Sequence, residues 1–358
     1  MKEVAIKDIC QKGSSALKQK ELLDSGIYPV YGASGIAGYL NTYHQERAYI
    51  GIVKDGSGIG RVSFYPAKTS LIGTMQYILP KTGFDIRYIG YCLQSLDLSK
   101  YKQGAAIPHI YFSDYGERIV KVTDNKSEQQ QIVSRLDAAF AQIDALKANA
   151  EKQLSEARNL FQKALEEAMK PKEGWEQKTI NDVAIFRNGT AHEKEIEKEG
   201  KYVVINSKFV STDGRIKKFT NEQLSPLYKD EIVMVMSDVP KGKTLAKCFI
   251  IDIDNKYSLN QRICAFKSKG IDVKFLYYMI NRNPGLLQYD NGENQTNLRK
   301  KNILDCPVAY PPKIETQQQI VSLLDSLCAK VRELEELQSK TIAECDALKQ
   351  AMLREVFE

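Results

Sequence analysis

A few short stretches of this chain carry residue types that could do chemistry. Gly242-Lys243-Thr244 has the ending of a phosphate-binding P-loop, in which backbone N–H groups and a lysine meet phosphate. That pattern needs glycine five residues before Gly242, where Ser237 stands, and Pro240 interrupts the loop. Asp55-Gly56-Ser57-Gly58 shares residues with a methyl-donor loop, and Gly56-Ser57-Gly58-Ile59-Gly60 with a dinucleotide loop. Neither has the strand–helix context that aims a helix N-terminus at phosphate, and both fit a turn between two strands. His44, His109 and His192 are dispersed, without metal-ligand spacing. The seven cysteines are odd in number and form no C-x-x-C pair, so neither zinc nor a disulfide scaffold is indicated, and a reducing cytoplasm fits. The Asn/Asp-Pro-Pro-aromatic motif of adenine methyltransferases does not occur, nor does a Pro-Asp pair to open the usual nuclease motif. Glutamates in 193–199 alternate with Lys194 and Lys198, as on a solvated face. These readings point away from catalysis, and to neither a metal nor a cofactor in this chain.

Residues able to read bases are present. Arginine and lysine reach guanine O6 and N7, Asn and Gln pair with adenine, and small groups meet the thymine methyl. Loop positions of this kind in the first part of the chain are Ser34, Lys54, Ser57, Arg61, Lys102, Gln103 and His109. In the second part they are Lys208, Lys241, Lys243, Asn260, Arg262, Asn294, Gln295 and Asn297.

The elements that must position them come from an internal repeat. Gln129-Gln130-Gln131-Ile132-Val133-Ser134 recurs as Gln317-Gln318-Gln319-Ile320-Val321-Ser322, an offset of 188 (317 − 129). Each copy opens a run without Gly or Pro, as a long helix requires. Pro171 and Gly174 end the first run, and Pro311-Pro312 precede the second. Ile132, Leu136, Ile143, Leu146 and Ala150 give one apolar stripe. Ile320, Leu324, Leu327, Val331 and Leu334 give the other, resumed by Cys345, Leu348 and Met352 after Gln338 and Thr341 weaken it. A period near 3.5 suits a helical partner. The surfaces around Gln129, Ile132, Gln317 and Ile320 are candidates for binding a partner protein.

Before each helix lies a strand- and turn-rich segment. Tyr31 to Tyr39 is a glycine-punctuated turn series, Tyr49–Val53 a buried strand, Arg61–Tyr65 a second strand, Asp85–Leu96 a helix, and Gly104–Ile110 a loop. Leu259–Ile263 falls against Ile72–Gln76, and Asp272–Ile280 against Asp85–Leu93, both at an offset of 187, while Asn283-Pro284-Gly285 reads as a turn. The chain is therefore a tandem repeat with bounds 1–125, 126–171, 172–312 and 313–358: globule, helix, globule, helix. Its fold class is α+β, with two α/β globules joined by two long antiparallel, coiled-coil-like helices about a pseudo-two-fold axis. Lys+Arg minus Asp+Glu over those four segments is +4, 0, +5 and −3, together the formal net charge of +6. The globules hold the positive charge, as two nucleic-acid contacts on a neutral spacer would. A two-fold frame also matches duplex DNA, where half-sites on one face lie about 34 Å apart. No apolar run approaches the roughly 20 residues of a membrane span, and the N-terminal residues lack a signal-peptide core.

With the repeated Gln-Gln-Gln-Ile-Val, the Tyr31–Tyr39 series and Lys54-Asp55-Gly56-Ser57-Gly58-Ile59-Gly60, the chain resembles the specificity subunit of Type I restriction–modification systems along essentially its whole length. Pro-Pro before the helix fits that family. The first copy departs from it with Val122-Thr123-Asp124-Asn125. The resemblance implies two target recognition domains, each reading half of a split sequence in double-stranded DNA, and helical regions that space them and bind two modification (methyltransferase) subunits. Those subunits would hold S-adenosylmethionine, and restriction (helicase-nuclease) subunits would bring ATP and Mg for cleavage. No membrane is involved. Two other readings stay open at this point: a scaffold protein whose helices join protein partners, and a recognition module for a fused nuclease–methyltransferase.

Overall fold

The computed structural model describes residues 1–104, 108–192, 194–239, 242–290, 292–293 and 295–358. The chain divides into two compact units, Met1–Gln153 with Glu336–Glu358, and Leu154–Glu335. In the first unit the strands are β1 (Lys2–Ala5), β2 (Cys10–Ser14), β3 (Tyr28–Gly32), β4 (Gly35–Leu40), β5 (Tyr49–Val53), β6 (Val62–Tyr65), β7 (Ser70–Leu71), β8 (Met75–Pro80) and β9 (Ile119–Val122). Helix α1 (Ile86–Ser95) follows β8, and α2 (Lys126–Met169) follows β9. In the second unit the strands are β10 (Glu176–Thr179), β11 (Ala184–Asn188), β12 (Tyr202–Ile205), β13 (Phe219–Thr220), β14 (Ile232–Val235), β15 (Ser237–Asp238), β16 (Cys248–Ile250), β17 (Tyr257–Leu259), β18 (Ile263–Ser268), β19 (Thr296–Asn297) and β20 (Pro307–Tyr310). Helices α3 (Ser207–Ser211) and α4 (Val273–Ile280) lie among them, and α5 (Ile314–Phe357) follows β20.

The two units share one topology. The first has a four-stranded sheet β2-β8-β5-β6, a three-stranded sheet β4-β3-β7 and a ribbon β1-β9. The second has β11-β18-β14-β16, β13-β12-β17 and β10-β20, with β15-β19 added. Both four-stranded sheets are antiparallel, and β3 with β7 and β12 with β17 are the parallel pairs. The central strands are buried on both faces because each sheet is covered twice. Ile50 and Ile52 of β5 face a core shared with α1 and α2, while Tyr49 and Val53 face the three-stranded sheet. In β14, Ile232 and Met234 take one side and Val233 and Val235 the other. This is the period of two expected of a strand between two layers.

Hydrogen bonds correct the sequence register. Met75 N–H bonds to Ile72 O and Ile72 N–H to Tyr31 O, each at 3.0 and 2.9 Å. Their counterparts are Ile263 to Asn260 (3.0 Å) and Asn260 to Ile205 (3.2 Å). Ile72 thus matches Asn260, an offset of 188 rather than 187. The offset of 187 holds only from the caps Asp85 and Asp272 of α1 and α4, since the turn before the helix is one residue shorter in the second unit. The Asn283-Pro284-Gly285 turn is the capped start of a short helix, Pro284–Leu287, in which the Asn283 side chain accepts the Gly285 N–H.

Each long helix is locked to its own globule at its start. The Gln129 amide is fully buried. Its Oε1 accepts the Asp85 N–H at 2.7 Å, and its Nε2 donates to Thr123 O (2.8 Å) and Gly83 O (3.1 Å). Gln317 accepts the Asp272 N–H at 2.8 Å and donates to Pro311 O at 2.8 Å. Two turns on, Asp137 takes Arg87 at 2.7 Å together with the Tyr91 hydroxyl, and Asp325 takes Lys274 at 2.5 Å and Tyr278 at 2.7 Å. The Gln129 and Gln317 amides are thus spent inside the fold, which leaves any partner surface around them to their neighbours on the helices. Ile132 and Ile320 are likewise half-buried against the cores. The exposed neighbours are Gln130, Gln131, Gln318 and Gln319.

Within the first unit the two helix segments run antiparallel, with Lys147–Asp346 at 2.8 Å, Lys349–Asp144 at 2.5 Å and Gln338 Nε2 to Gln153 Oε1 at 2.9 Å. The buried stripe is Val133, Leu136, Phe140, Ile143 and Ala150 on α2, met by Cys345, Leu353 and Phe357 of α5. Leu146 (58% exposed) and Leu348 (51% exposed), read from sequence as part of the stripe, lie outside it. The contact face must serve both the other helix and the globule, which turns it off the simple leucine line. Among the described residues no helix is long and apolar enough to cross a membrane.

Candidate nucleic-acid interface

In the first unit three loops gather where β5 ends and β6 and β8 begin. Lys54 and Asp55 follow β5, and both their N–H groups bond to Thr74 O, at 3.0 and 3.2 Å. The segment after α1 folds back on them: Ile110 N–H bonds to Lys54 O at 2.9 Å and Gly56 N–H to Pro108 O at 3.3 Å. The Arg61 guanidinium donates to Ala33 O, tying the β5–β6 loop to the β3–β4 turn. Gly60 (φ +81°) closes the loop, where a Cβ would sit 2.5 Å from the Ser99 nitrogen.

All seven candidates of this half lie on these loops. Ser34 is exposed in the β3–β4 turn, and Ser57 and Arg61 are exposed in the β5–β6 loop. Lys54 is half-buried, its Nζ 3.8 Å from Asp55. Lys102 and Gln103 are exposed. Gln103 exchanges paired backbone hydrogen bonds of 2.8 Å with His109, and its side chain donates to Asp114 at 2.9 Å. His109 Nδ1 lies 2.6 Å from Asp55 Oδ1, and its ring stacks on Tyr111 at 6.3 Å and 22°. Asp55 and Tyr111 are partners that sequence reading missed. Asp55 is 54 positions from His109, and no local signal connects them.

The second unit builds the same corner from longer loops. Residues 236–247 take the place of 54–61. Met236 N–H bonds to Arg262 O at 3.0 Å and Leu298 N–H to Met236 O at 2.8 Å, matching the bonds of Lys54 and Ile110. Asp238 organises the added residues by accepting the N–H groups of Val239 (2.9 Å), Thr244 (2.6 Å) and Leu245 (3.1 Å). Burial raises the Asp238 pKa, but those hydrogen bonds outweigh it and hold the carboxyl below its ordinary value. The N–H groups near Gly242-Lys243-Thr244 that a P-loop would offer to phosphate are therefore already given to a carboxylate.

Lys243 is exposed on this loop, and Arg262 is exposed in the turn between β17 and β18. Asn260 in the same turn has its Oδ1 taken by the N–H groups of Gln261 (2.9 Å) and His192 (3.3 Å). His192 is itself buried, bonded to Thr190 O at 2.6 Å and Ser258 Oγ at 2.7 Å, so it is a brace for the turn. Gln295 donates to Ser237 Oγ at 2.9 Å, and Asn297 is exposed on β19 opposite Ser237. Lys208 is exposed on α3, which leaves the end of β12 beside β17. Lys241 and Asn294 lie outside the described residues. Ser237 and Asp238 were missed by the sequence reading because a serine and an aspartate in a loop carry no pattern of their own.

Among the described residues no group of three or more His, Cys, Asp or Glu is placed to hold a metal. Burial pushes the Cys10 thiol up to about 12 and Cys306 to about 11, away from thiolate reactivity.

A family described as "Type I restriction modification DNA specificity domain" matches residues 1–156 and again 172–344. No curated protein matches the sequence. Among solved structures, a chain described under "Structural basis underlying complex assembly and conformational transition of the type I R-M system" is 13% identical, with a TM-score of 0.72 over 99% of this chain and 97% of that one. The HsdS subunit from Thermoanaerobacter tengcongensis is 14% identical, with a TM-score of 0.50 over 99% and 96%. Likeness at this identity speaks to fold, and it is the fold of two tandem mixed α and β domains already described. The double match of the family over both halves carries the assignment: this chain belongs to the Type I restriction modification DNA specificity domain family.

Proposed function

We propose that the chain binds double-stranded DNA at a bipartite target and gives that specificity to the methyltransferase and restriction subunits of a Type I complex. The observation that carries this is one scaffold used twice with different side chains at the same corner. Lys54, Ser57, Arg61 and His109 occupy it in the first unit, and Lys243, Arg262 and Asn297 in the second. In this reading residues 1–125 and 172–312 are the two target recognition domains, and residues 126–171 and 313–358 are the helices that space them. The helices form an antiparallel, coiled-coil-like pair about a pseudo-two-fold axis and carry two modification subunits; restriction subunits join that assembly. The chain supplies recognition, and the S-adenosylmethionine, ATP and Mg chemistry belongs to the partners.

The decisive experiment replaces residues 172–312 with the second globule of another family member and maps the methylated sequence made by the assembled complex. One half of the target changes and the other stays. A change in both halves, or in neither, defeats the reading. Incubated alone with DNA and S-adenosylmethionine, or with ATP and Mg, the purified chain neither methylates nor cuts; methyl transfer without partners would refute its non-catalytic role.

A further inference from the structure

The two corners have one residue each at their shared centre. Ile110 bonds to Lys54 O at 2.9 Å and Leu298 to Met236 O at 2.8 Å, so these are equivalent positions. The residue just before each is His109 in one unit and Asn297 in the other. Across from them stand Asp55 and Ser237. The scaffold thus delivers two different polar side chains to one place.

At His109 the chemistry is directed. Its Nδ1 is 2.6 Å from Asp55 Oδ1. An ionised carboxylate can only accept, so Nδ1 carries the hydrogen, and in the neutral ring Nε2 is left as an acceptor. Among the described residues no group bonds to that Nε2, and the side chain is 40% exposed. Tyr111 lies beside it, its ring centroid 6.3 Å away and within 22° of parallel. A bare carboxylate in a DNA-facing loop would repel phosphate. Asp55 is 24% exposed, bonded to the imidazole and beside Lys54, which makes it an orienting group. In the major groove the hydrogen-bond donors are the amino groups N6 of adenine and N4 of cytosine. The Asn297 side chain is exposed, and asparagine pairs with adenine through N6 and N7.

We infer that positions 109 and 297 are the matched base-reading points of the two half-sites. His109, oriented by Asp55, accepts a hydrogen bond from the amino group of adenine or cytosine, and Asn297 reads an adenine. This rests on the DNA-recognition reading above. The test exposes the full-length chain to a randomised duplex library and sequences what is retained. The unaltered chain should favour adenine or cytosine at one position of one half-site by roughly tenfold, the scale of a good base contact. His109→Ala should erase that preference and leave the other half-site intact. His109→Gln, whose Oε1 can still accept, should keep it. Asp55→Ala, acting through the ring, should weaken the same preference without moving it. Asn297→Ala should erase an adenine preference in the other half only. Thermal melting of each variant at the temperature of the unaltered chain shows that folding is intact.

An unchanged motif from His109→Ala overturns the inference. So does a uniform loss of affinity across all sequences with a salt slope reduced by about one, which marks a phosphate contact. A His109-dependent preference for guanine or thymine overturns the acceptor assignment. A chain that selects no motif at all overturns the DNA-recognition reading itself, and a motif lost from both halves in every variant overturns the pairing of 109 with 297.

Discussion

Gln129 shows how one side chain can fix a joint. Its amide ties the start of α2 to Thr123, three residues before that helix, to the turn at Gly83 and to the cap of α1. Gln129→Leu strands one N–H and two carbonyls in a dry site, and a cost of about 3 kcal/mol is expected in denaturant unfolding. Gln129→Glu should fare no better, because a carboxylate would then face two carbonyl oxygens. The sequence displayed these glutamines twice, yet their role was illegible there, since the bonded groups lie up to 46 residues away. His109 shares this problem: its residue type suggested recognition, but the aspartate beside its ring lies 54 positions away. Asp238 gives a pH test. Its carboxyl is depressed in the fold, so its contribution is present above the ordinary value of 3.8 and lost as pH falls through the lower folded value. The Thr244 and Leu245 amides should be protected from exchange at neutral pH, relative to their intrinsic rates, and lose that protection in acid below that point. In Asp238→Asn the exchange should be faster already at neutral pH, with no acid step.

At the scale of elements, β5 and the two long helices were legible because burial writes a period into the residues. Tyr49–Val53 was read as a buried strand, and that strand is buried throughout. Asp85 begins a helix, as read, because its side chain accepts the Arg87 and Tyr88 N–H groups. The phase of the helical stripe was harder. Leucines at 146 and 348 fit a heptad as well as their neighbours do, and only the packed globule decides between them. This yields a paired expectation. Phe357→Ala removes a fully buried ring packed at 5.1 Å on Tyr88 and should cost about 3–5 kcal/mol. Leu348→Ala should stay within about 0.5 kcal/mol, because its side chain is on the solvent side. Equal effects in urea titrations would place the stripe where the sequence alone had put it. The one-residue register error at Ile72 and Asn260 has a similar origin. The shorter turn before Asp272 is invisible until the ladder bonds are counted.

For the whole molecule, the proposed function makes the long helices a ruler. A four-residue insertion adds about 6 Å to a helix and nearly completes a turn, so placed after Asn149 and again after Leu337 it preserves the stripe. At about 3.4 Å per base pair the non-specific spacer of the target should grow by roughly two base pairs, with both half-sites unchanged and some affinity lost to the added duplex twist. Methylation mapping of the assembled mutant checks this, and an unchanged spacer with full activity would show that the helices are not the ruler. The ribbons at the base of each globule have another consequence. In the second unit the chain leaves α2, passes along β10, and after the whole globule returns along β20 into α5, with Glu176 beside Tyr310 and Thr179 beside Pro307. Tension applied between the two helices beyond their own packing would reach this four-residue ribbon first and peel it one pair at a time, beginning at Glu176 and Tyr310. Opening that ribbon would leave the four-stranded sheet β11-β18-β14-β16 with its own hydrogen bonds, because the two share no strand.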